Sequence, residues 1–309
     1  AGISLAYLIM SSAENKIERQ RIWVIYIISF FIIFFWAAFE QAGSSLTFIA
    51  SNQTDRSIIF PDFLGYIFGF FKAIYNAIIG NGFDITIVKS WEMPASMVQI
   101  FNGIFVVLLA VPFSLAWDKL RAKGKEPISP LKQALGLALI ALSYFIIAYN
   151  VKDLVTGELL AVEWLVLLYF IQTCGELCLS PIGLSLVGKL APKRFVSLLY
   201  GVFFISNAAG YALAGTLGAI LPATGDKFKK AKELGINLQD VLDKKVTLTA
   251  EQTAVFAKEQ LPTAYKTFAG FEIQNLFEFF MVFVILCGIA AVILAAISPI
   301  LKKMMHGVK

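Results

Sequence analysis

The chain has 309 residues, of which 58% are hydrophobic and only 15% are charged, and its net charge is +5. Soluble domains carry about 25% charged residues, so this composition excludes an ordinary soluble protein and predicts an integral membrane protein. The basic residues lie in short loops between apolar runs. That pattern indicates membrane topology and argues against a nucleic-acid partner.

Six apolar runs are long enough to cross a bilayer, since one membrane-spanning helix needs about 20 apolar residues. They cover residues 22–50, 95–117, 131–150, 161–190, 195–221 and 271–301. The fold class is therefore all-α and integral to the membrane. Four basic clusters fall on one side of this arrangement, and the positive-inside rule makes that side cytoplasmic, with both chain ends inside. These clusters are residues 16–21, 119–125, 189–194 and 302–309.

Two further apolar segments are not counted as spans. Residues 1–21 begin with a stretch too short to cross a bilayer and without the features of a signal peptide, so we expect the end of a linker helix whose beginning is missing. Residues 61–81 would make a seventh span, but that would move the basic residues 119–125 outside. We therefore predict an interfacial or protein-packed helix in an outer loop of residues 51–94.

The remaining segments are polar. Residues 222–270 form a second outer loop, rich in lysine, in which short helices are expected at 227–234 and 250–259. Residues 302–309 form a cytoplasmic tail. The predicted organisation is thus one transmembrane bundle over residues 22–301 with two outer loops.

Span four carries Glu176 near its middle, and a carboxylate at bilayer depth usually marks the path of a substrate, an ion or a proton. Ser180 and Gly183 follow on the same helix face, and Pro181 is expected to kink the helix between them. Together they predict a binding site at mid-membrane. The alternative is a structural glutamate that is hydrogen-bonded to a neighbouring helix.

Span one carries Glu40, one helical turn after Trp36 and on the same face. Trp36 lies about 21 Å above Ile22 at a rise of 1.5 Å per residue, which is too deep for an interfacial aromatic belt. For Glu40, an acid near the outer headgroups is the alternative. The six spans carry no lysine or arginine at mid-depth. Both glutamates must therefore bind a proton, a cationic ligand or positive side chains from elsewhere.

Other polar residues give weaker signals. Gln99 and Asn102 lie three apart at the start of span two, where their amides can hold a peptide backbone or staple helices together. Phe203 in span five faces lipid, the core or a pocket. The cysteines lack a second ligand pair, and no zinc motif, hydrolase triad or phosphate loop is visible. We therefore expect neither a metal site nor an enzyme.

The segments around these residues resemble the proton-dependent oligopeptide transporters of the major facilitator superfamily. Residues 35–45, with Trp36 and Glu40, resemble helix seven of that family, and residues 175–195, with Glu176 and Ser180, resemble helix ten and its following loop. Residues 99–102 resemble the start of helix eight, and residues 201–215 resemble helix eleven. The resemblance implies that the chain is the carboxy-terminal six-helix bundle of the fold.

The resemblance also implies roles for single residues. Glu176 would bind the peptide's amino terminus, and Asn102 would contact its backbone or carboxylate. Glu40 would act in proton coupling and gating, and Trp36 would line the cavity. Phe203 stands where the family has a tryptophan. The predicted substrate-binding residues are Glu176, Asn102, Trp36, Ser180, Gln99 and Phe203, and the predicted proton-coupling residues are Glu40 and Glu176.

The predicted function is proton-coupled symport of di- and tripeptides across the cell membrane, with protons as the coupling ion and no other cofactor. The predicted partners are small peptides, the lipid bilayer and an amino-terminal six-helix bundle, whose helix-one acidic-arginine motif has no counterpart here. The alternatives are the same fold with another cargo such as nitrate, a non-transporting receptor or scaffold, and an ion channel. Glu176 favours a cargo that carries an amine.

Overall fold

The computed structural model describes residues 2–152, 154 and 158–308. Over these residues the chain forms twelve α-helices and six short β-strands. The long helices are α2 (Lys16–Phe39), α5 (Ile100–Ala122), α6 (Ser129–Val151), α7 (Val162–Leu190), α8 (Val196–Gly218) and α12 (Leu276–Met304). The short helices are α1 (Gly2–Ser11), α3 (Ser45–Asn52), α4 (Asp62–Ile78), α9 (Gly225–Glu233), α10 (Leu238–Leu242) and α11 (Ala250–Lys258).

The strands pair two by two at the loops. The parallel pair is β1 (Thr54–Asp55) with β4 (Leu160–Ala161). The antiparallel pairs are β2 (Ser57–Ile59) with β3 (Ser90–Glu92) and β5 (Lys266–Phe268) with β6 (Phe271–Ile273). The β1–β4 pair joins the end of the first span to the beginning of α7.

Six segments of the described chain are long and apolar enough to cross a membrane, which confirms the predicted number. They are Lys16–Asn52, Ala95–Ala122, Ser129–Val151, Val162–Leu190, Lys193–Gly218 and Leu276–Met304. The 17-residue helix α4 is not among them. The prediction of an additional helix in place of a seventh span is therefore confirmed.

Contacts between the helix ends support this topology. Arg194, which follows α7, forms ion pairs with Glu14 and with Glu18 at the start of α2, the latter at 2.7 Å. Nε2 of His306, which follows α12, lies 2.5 Å from Oε1 of Gln20 on α2. The basic ends of α2, α7 and α12 therefore meet at one end of the bundle. An additional crossing by α4 would separate them, whereas the side of the membrane on which they lie stays a prediction.

Glycines set the closest helix crossings. A Cβ atom on Gly136 of α6 would lie 2.7 Å from the carbonyl oxygen of Gly175 on α7, and one on Gly210 of α8 would lie 2.7 Å from Cβ of Trp36 on α2. Small residues at such crossings are typical of membrane helices. Gly215, in contrast, has nothing within 4 Å of its added Cβ atom among the described residues.

The first span differs from the single helix predicted over 22–50. The helix α2 begins at Lys16, six residues earlier, where Asn15 caps it by accepting a hydrogen bond from the Glu18 amide at 2.9 Å. The helix ends at Phe39, and a 3₁₀ turn, Glu40–Gly43, leads into α3. A 3₁₀ segment within a long helix often marks a hinge at a functional position.

The polar loop of residues 222–270 folds into a small unit with its own apolar core. The helices α9 and α11 confirm the two short helices predicted there, while α10 was not predicted. The buried apolar side chains of this unit are Ala231, Leu238, Val241, Leu242, Phe256 and Leu261.

Candidate functional site

An amide and a carboxylate from two neighbouring helices meet near the middle of α7. Asn102 of α5 donates from Nδ2 to Oε2 of Glu176 at 3.1 Å and to Oγ1 of Thr173 at 3.0 Å. Thr173 is fully buried, and its own hydroxyl donates to the carbonyl oxygen of Tyr169 at 2.7 Å. Because its proton is directed at Tyr169, Thr173 can only accept from Asn102, which fixes the orientation of the amide.

This orientation leaves one polar atom of Asn102 open. Its Oδ1 accepts no hydrogen bond from the residues that the structure describes. Glu176 is half-buried. The preceding residue, Gly175, lies against Gly136 of α6, where the two helix backbones come into close contact. Asn102 and Glu176 thus offer a ligand an acceptor oxygen and a carboxylate side by side.

Glu40 lies at the junction between α2 and the 3₁₀ turn. The next residue, Gln41, is fully buried and holds this junction in place. Its Nε2 donates to the carbonyl oxygens of Ala37 at 3.0 Å and of Ala214 on α8 at 2.9 Å, while the Ser45 hydroxyl donates to its Oε1 at 2.6 Å. The position of Glu40 is therefore set by a network that joins the first span to α8.

Glu40 at the end of α2 and Glu176 on α7 lie within electrostatic range of each other. Among the ion pairs of the described chain, none involves either of them. Two neighbouring carboxylates without a cation cannot both stay ionised at low cost. We call Glu40, Asn102, Thr173 and Glu176 the two-glutamate site.

Trp36 lies beside this site and is half-buried. Its ring packs edge to face against Tyr211 of α8, with centroids 5.6 Å apart, and against Phe39 at the same distance. Tyr211 also lies within electrostatic range of Glu40. The aromatic pair thus connects the acidic junction of the first span with α8.

A profile of the POT family (PTR2) matches residues 72–234. The chain belongs to the POT family. This POT chain is 30% identical over 219 residues to the peptide transporter YePEPT of Yersinia enterocolitica subsp. palearctica. It is 31% identical over 224 residues to a di-/tripeptide transporter of Lactococcus lactis subsp. cremoris.

These matches cover 70% and 72% of this POT chain but only 37% and 39% of the two relatives. A crystal structure of a peptide transporter POT in complex with sulfate superposes with a TM-score of 0.64 at 25% identity. That superposition covers 99% of this chain and 46% of the other. The chain therefore corresponds to about half of such a transporter and has the predicted fold, a six-helix bundle of the major facilitator type.

Gln99 of the POT chain is engaged within the bundle. Its Nε2 donates to the carbonyl oxygen of Ala42 at 2.6 Å and to the hydroxyl of Thr47. Both amide hydrogens are used in fastening the start of the second span to the end of the first. Of the two roles that the sequence left open, the geometry favours the helix staple over peptide binding.

Phe203 and Ser180, two other predicted binding residues, differ in their burial. Phe203 is only 2% exposed, and its ring fills the space beside Gly183, where a Cβ atom would lie 3.2 Å from Cζ. Of the three positions that the sequence left open for Phe203, its burial favours the core at the crossing of α7 and α8, and its binding role stays a prediction. Ser180 is half-buried and forms no hydrogen bond with the described residues, so its binding role stays a prediction. The helix α7 continues through Pro181 to Leu190.

Sequence reasoning missed two residues that organise the site. Thr173 precedes Glu176 by three positions, so the helical period places both on one face, and this spacing could have revealed it. The second is Gln41, which directly follows Glu40 in the chain. Its bond to the Ala214 carbonyl has no signal in the sequence, because it depends on a neighbour 173 positions away.

Proposed function

We propose that this chain is the carboxy-terminal half of a proton-coupled symporter of di- and tripeptides. Glu176 binds the peptide's amino terminus, and Asn102 presents Oδ1 to a peptide amide. Glu40 takes part in proton coupling and gating. The observation that carries the proposal is the contact of Asn102 with Glu176 beside a second carboxylate, with no cation of the described chain paired to either acid.

The charge balance of the site suggests how binding and coupling are linked. In the free site Glu176 accepts a hydrogen bond from a neutral amide. A peptide ammonium would form a shorter, charge-assisted bond, which is roughly twice as strong. Because Glu40 and Glu176 repel each other, the site is most stable when one acid holds a proton and the other holds the ammonium. Inward proton movement then supplies about 2.3 kcal/mol per charge per 100 mV.

The rest of the transporter would come from an amino-terminal six-helix bundle. The relatives are named as transporters and extend well beyond the length of this chain. That bundle would supply the positive group for the peptide carboxylate, since the two-glutamate site offers only acids and an amide. In this arrangement both ends of the chain are cytoplasmic, and the protein is a carrier with no enzymatic step.

Transport by the full-length protein in proteoliposomes tests the proposal. With an inward proton gradient, dialanine should accumulate in the wild type and in Glu251→Gln, an exposed control on α11. Glu176→Gln should lose both accumulation and peptide exchange at equal pH. Glu40→Gln should lose accumulation but keep exchange, because exchange needs no net proton movement.

Several results would reject parts of the proposal. Unchanged uptake by Glu176→Gln would remove its binding role. Equal competition by dialanine and its N-acetylated form would show that the amino terminus is not recognised. Nitrate uptake without peptide uptake would indicate another cargo, and a non-saturating current would indicate a channel. Binding without peptide-dependent proton flux would indicate a receptor.

A further inference from the structure

The loop between the first and second spans exposes a cluster of large apolar side chains on α4. We call residues 53–94 the flap. At its base, Arg56 donates to the Met93 carbonyl at 2.6 Å and forms an ion pair with Glu92 at 2.8 Å, and β2 pairs with β3. The helix α4 and the returning segment 84–89 extend from this base.

The small-residue face of α4 is filled by the flap itself. Gly65, Gly69 and Ala73 are buried at intervals of four residues, and segment 84–89 runs across them. The amide of Val88 donates to the carbonyl oxygen of Gly65 at 3.1 Å, and a Cβ atom on Gly69 would overlap the carbonyl oxygen of Thr86. This face is therefore closed and offers no groove to a partner.

The opposite face of α4 is convex and apolar. At 100° per residue most of its large exposed side chains fall within an arc of about 140°. Two of them, Phe71 and Tyr75, are 61% and 62% exposed. The polar residues Lys72 and Asn76 lie on the other side of the helix, beside the small-residue stripe. The side chains of the exposed arc are Phe63, Ile67, Phe70, Phe71, Ile74, Tyr75 and Ile78, and the exposed Tyr66 and Phe68 flank it on either side.

The position of the flap limits what can cover this face. The first span ends at Asn52 and the second begins at Ala95, so the two ends of the flap leave the bundle where membrane-spanning helices end. The β1–β4 pair places the beginning of α7 at the same level. Both ends of the loop that carries the apolar arc therefore lie at the level where the membrane-spanning helices end. A convex face without charges fits fluid lipid better than a shaped protein groove.

We propose that α4 lies in the membrane interface with the arc from Phe63 to Ile78 inserted among the lipids of the adjacent leaflet, which the charge distribution marks as the outer one. The inserted arc then holds the flap, which connects the first two spans, at the membrane surface. This inference concerns the membrane contact of the loop and stands independently of the cargo proposed above.

A fluorescence experiment on the full-length protein in phosphatidylcholine vesicles tests this placement. Phe71→Cys and Tyr75→Cys each receive an environment-sensitive label, and Glu251→Cys on α11 serves as the water-exposed control. Labelling of the unsubstituted protein measures the background from Cys174, which is half-buried. Lipids with a doxyl quencher on the acyl chain should quench the labels at 71 and 75 severalfold more than the label at 251, and iodide should do the reverse.

Two outcomes would overturn the inference. If iodide quenches positions 71 and 75 as strongly as position 251, the arc lies in water. If both positions are protected from iodide and from the lipid quencher alike, protein covers the arc, either a second copy or the amino-terminal bundle. Two labelled positions are used so that a variant that aggregates does not decide the result alone.

Discussion

Nδ2 of Asn102 lies 3.1 Å from Oε2 of Glu176, and this bond is one of the few polar links between α5 and the rest of the bundle. Within Ile100–Ala122, all of which the structure describes, no residue is fully buried. Its apolar contacts with the bundle come from half-buried side chains such as Phe101 and Phe105, and Asn102 and the Gln99 staple add polar links. A ligand that takes over Glu176 would release one of these links, which couples binding to the position of α5.

Thr173 should affect peptide affinity without touching the peptide. Thr173→Val keeps the shape of the side chain but removes the oxygen that accepts from Asn102. The loss of one hydrogen bond costs about 1 kcal/mol, so the KM for dialanine should rise about fivefold while kcat changes little. Thr173→Ser keeps the hydroxyl and should restore the wild-type KM. Equal KM values for the valine and serine variants would contradict this positioning role.

Gly175 should be intolerant of any side chain. A Cβ atom there would lie 2.9 Å from the carbonyl oxygen of Gly136, and neither backbone can move without separating α6 from α7. Gly175→Ala should therefore destabilise the protein by about 1–3 kcal/mol, seen as a lower melting temperature in detergent. The matched control is Gly215→Ala, whose Cβ would meet nothing within 4 Å and should leave the melting temperature unchanged or slightly higher.

The general architecture was predictable because membrane spans depend on local properties. Apolar length identified the six spans, and loop charge separated α4 from them. The break in the first span was not predictable, since residues around Glu40 keep an unbroken helical pattern and the turn is held by the distant Ala214. The burial of Phe203 was not predictable for a related reason. Periodicity shows which residues share a helix face, but burial depends on Gly183 of another helix.

Gln41 should contribute strongly to the stability of the bundle, although its side chain is neutral. Gln41→Leu removes the donor to the carbonyl oxygens of Ala37 and Ala214 and leaves both acceptors without it in an apolar region. Such a loss costs about 1–3 kcal/mol, so the melting temperature should fall and amide exchange near Glu40 should accelerate. Ser44→Ala is the matched control, because its hydroxyl makes only a 3.3 Å contact with Gln41. Equal effects of both substitutions would argue against a stabilising role of the Gln41 hydrogen bonds.

Glu126, in the loop between α5 and α6, should make the stability of that end of the bundle depend on pH. It pairs with Arg121 at 2.9 Å and with Lys132 at 2.6 Å. The hydrogen bond from Arg121 lowers the pKa of Glu126 from 4.5 to about 2, with a further contribution from Lys132 and against the effect of burial. Because the folded-state pKa is the lower one, the stabilisation is present above about pH 4.5 and is lost as the pH falls toward 2.

The comparison of wild type with Glu126→Gln tests this dependence directly. At neutral pH the variant should melt at a lower temperature, because it leaves the nearly buried Lys132 without its carboxylate. The difference should shrink as the pH falls below 4.5, because the unfolded wild-type chain then binds a proton at Glu126 that the folded protein does not bind until the pH approaches 2. The exposed control Glu251→Gln should show no such convergence. A difference between wild type and Glu126→Gln that stays constant from pH 7 to pH 3, the acid end of a detergent melting series, would mean that packing, rather than charge, accounts for the effect.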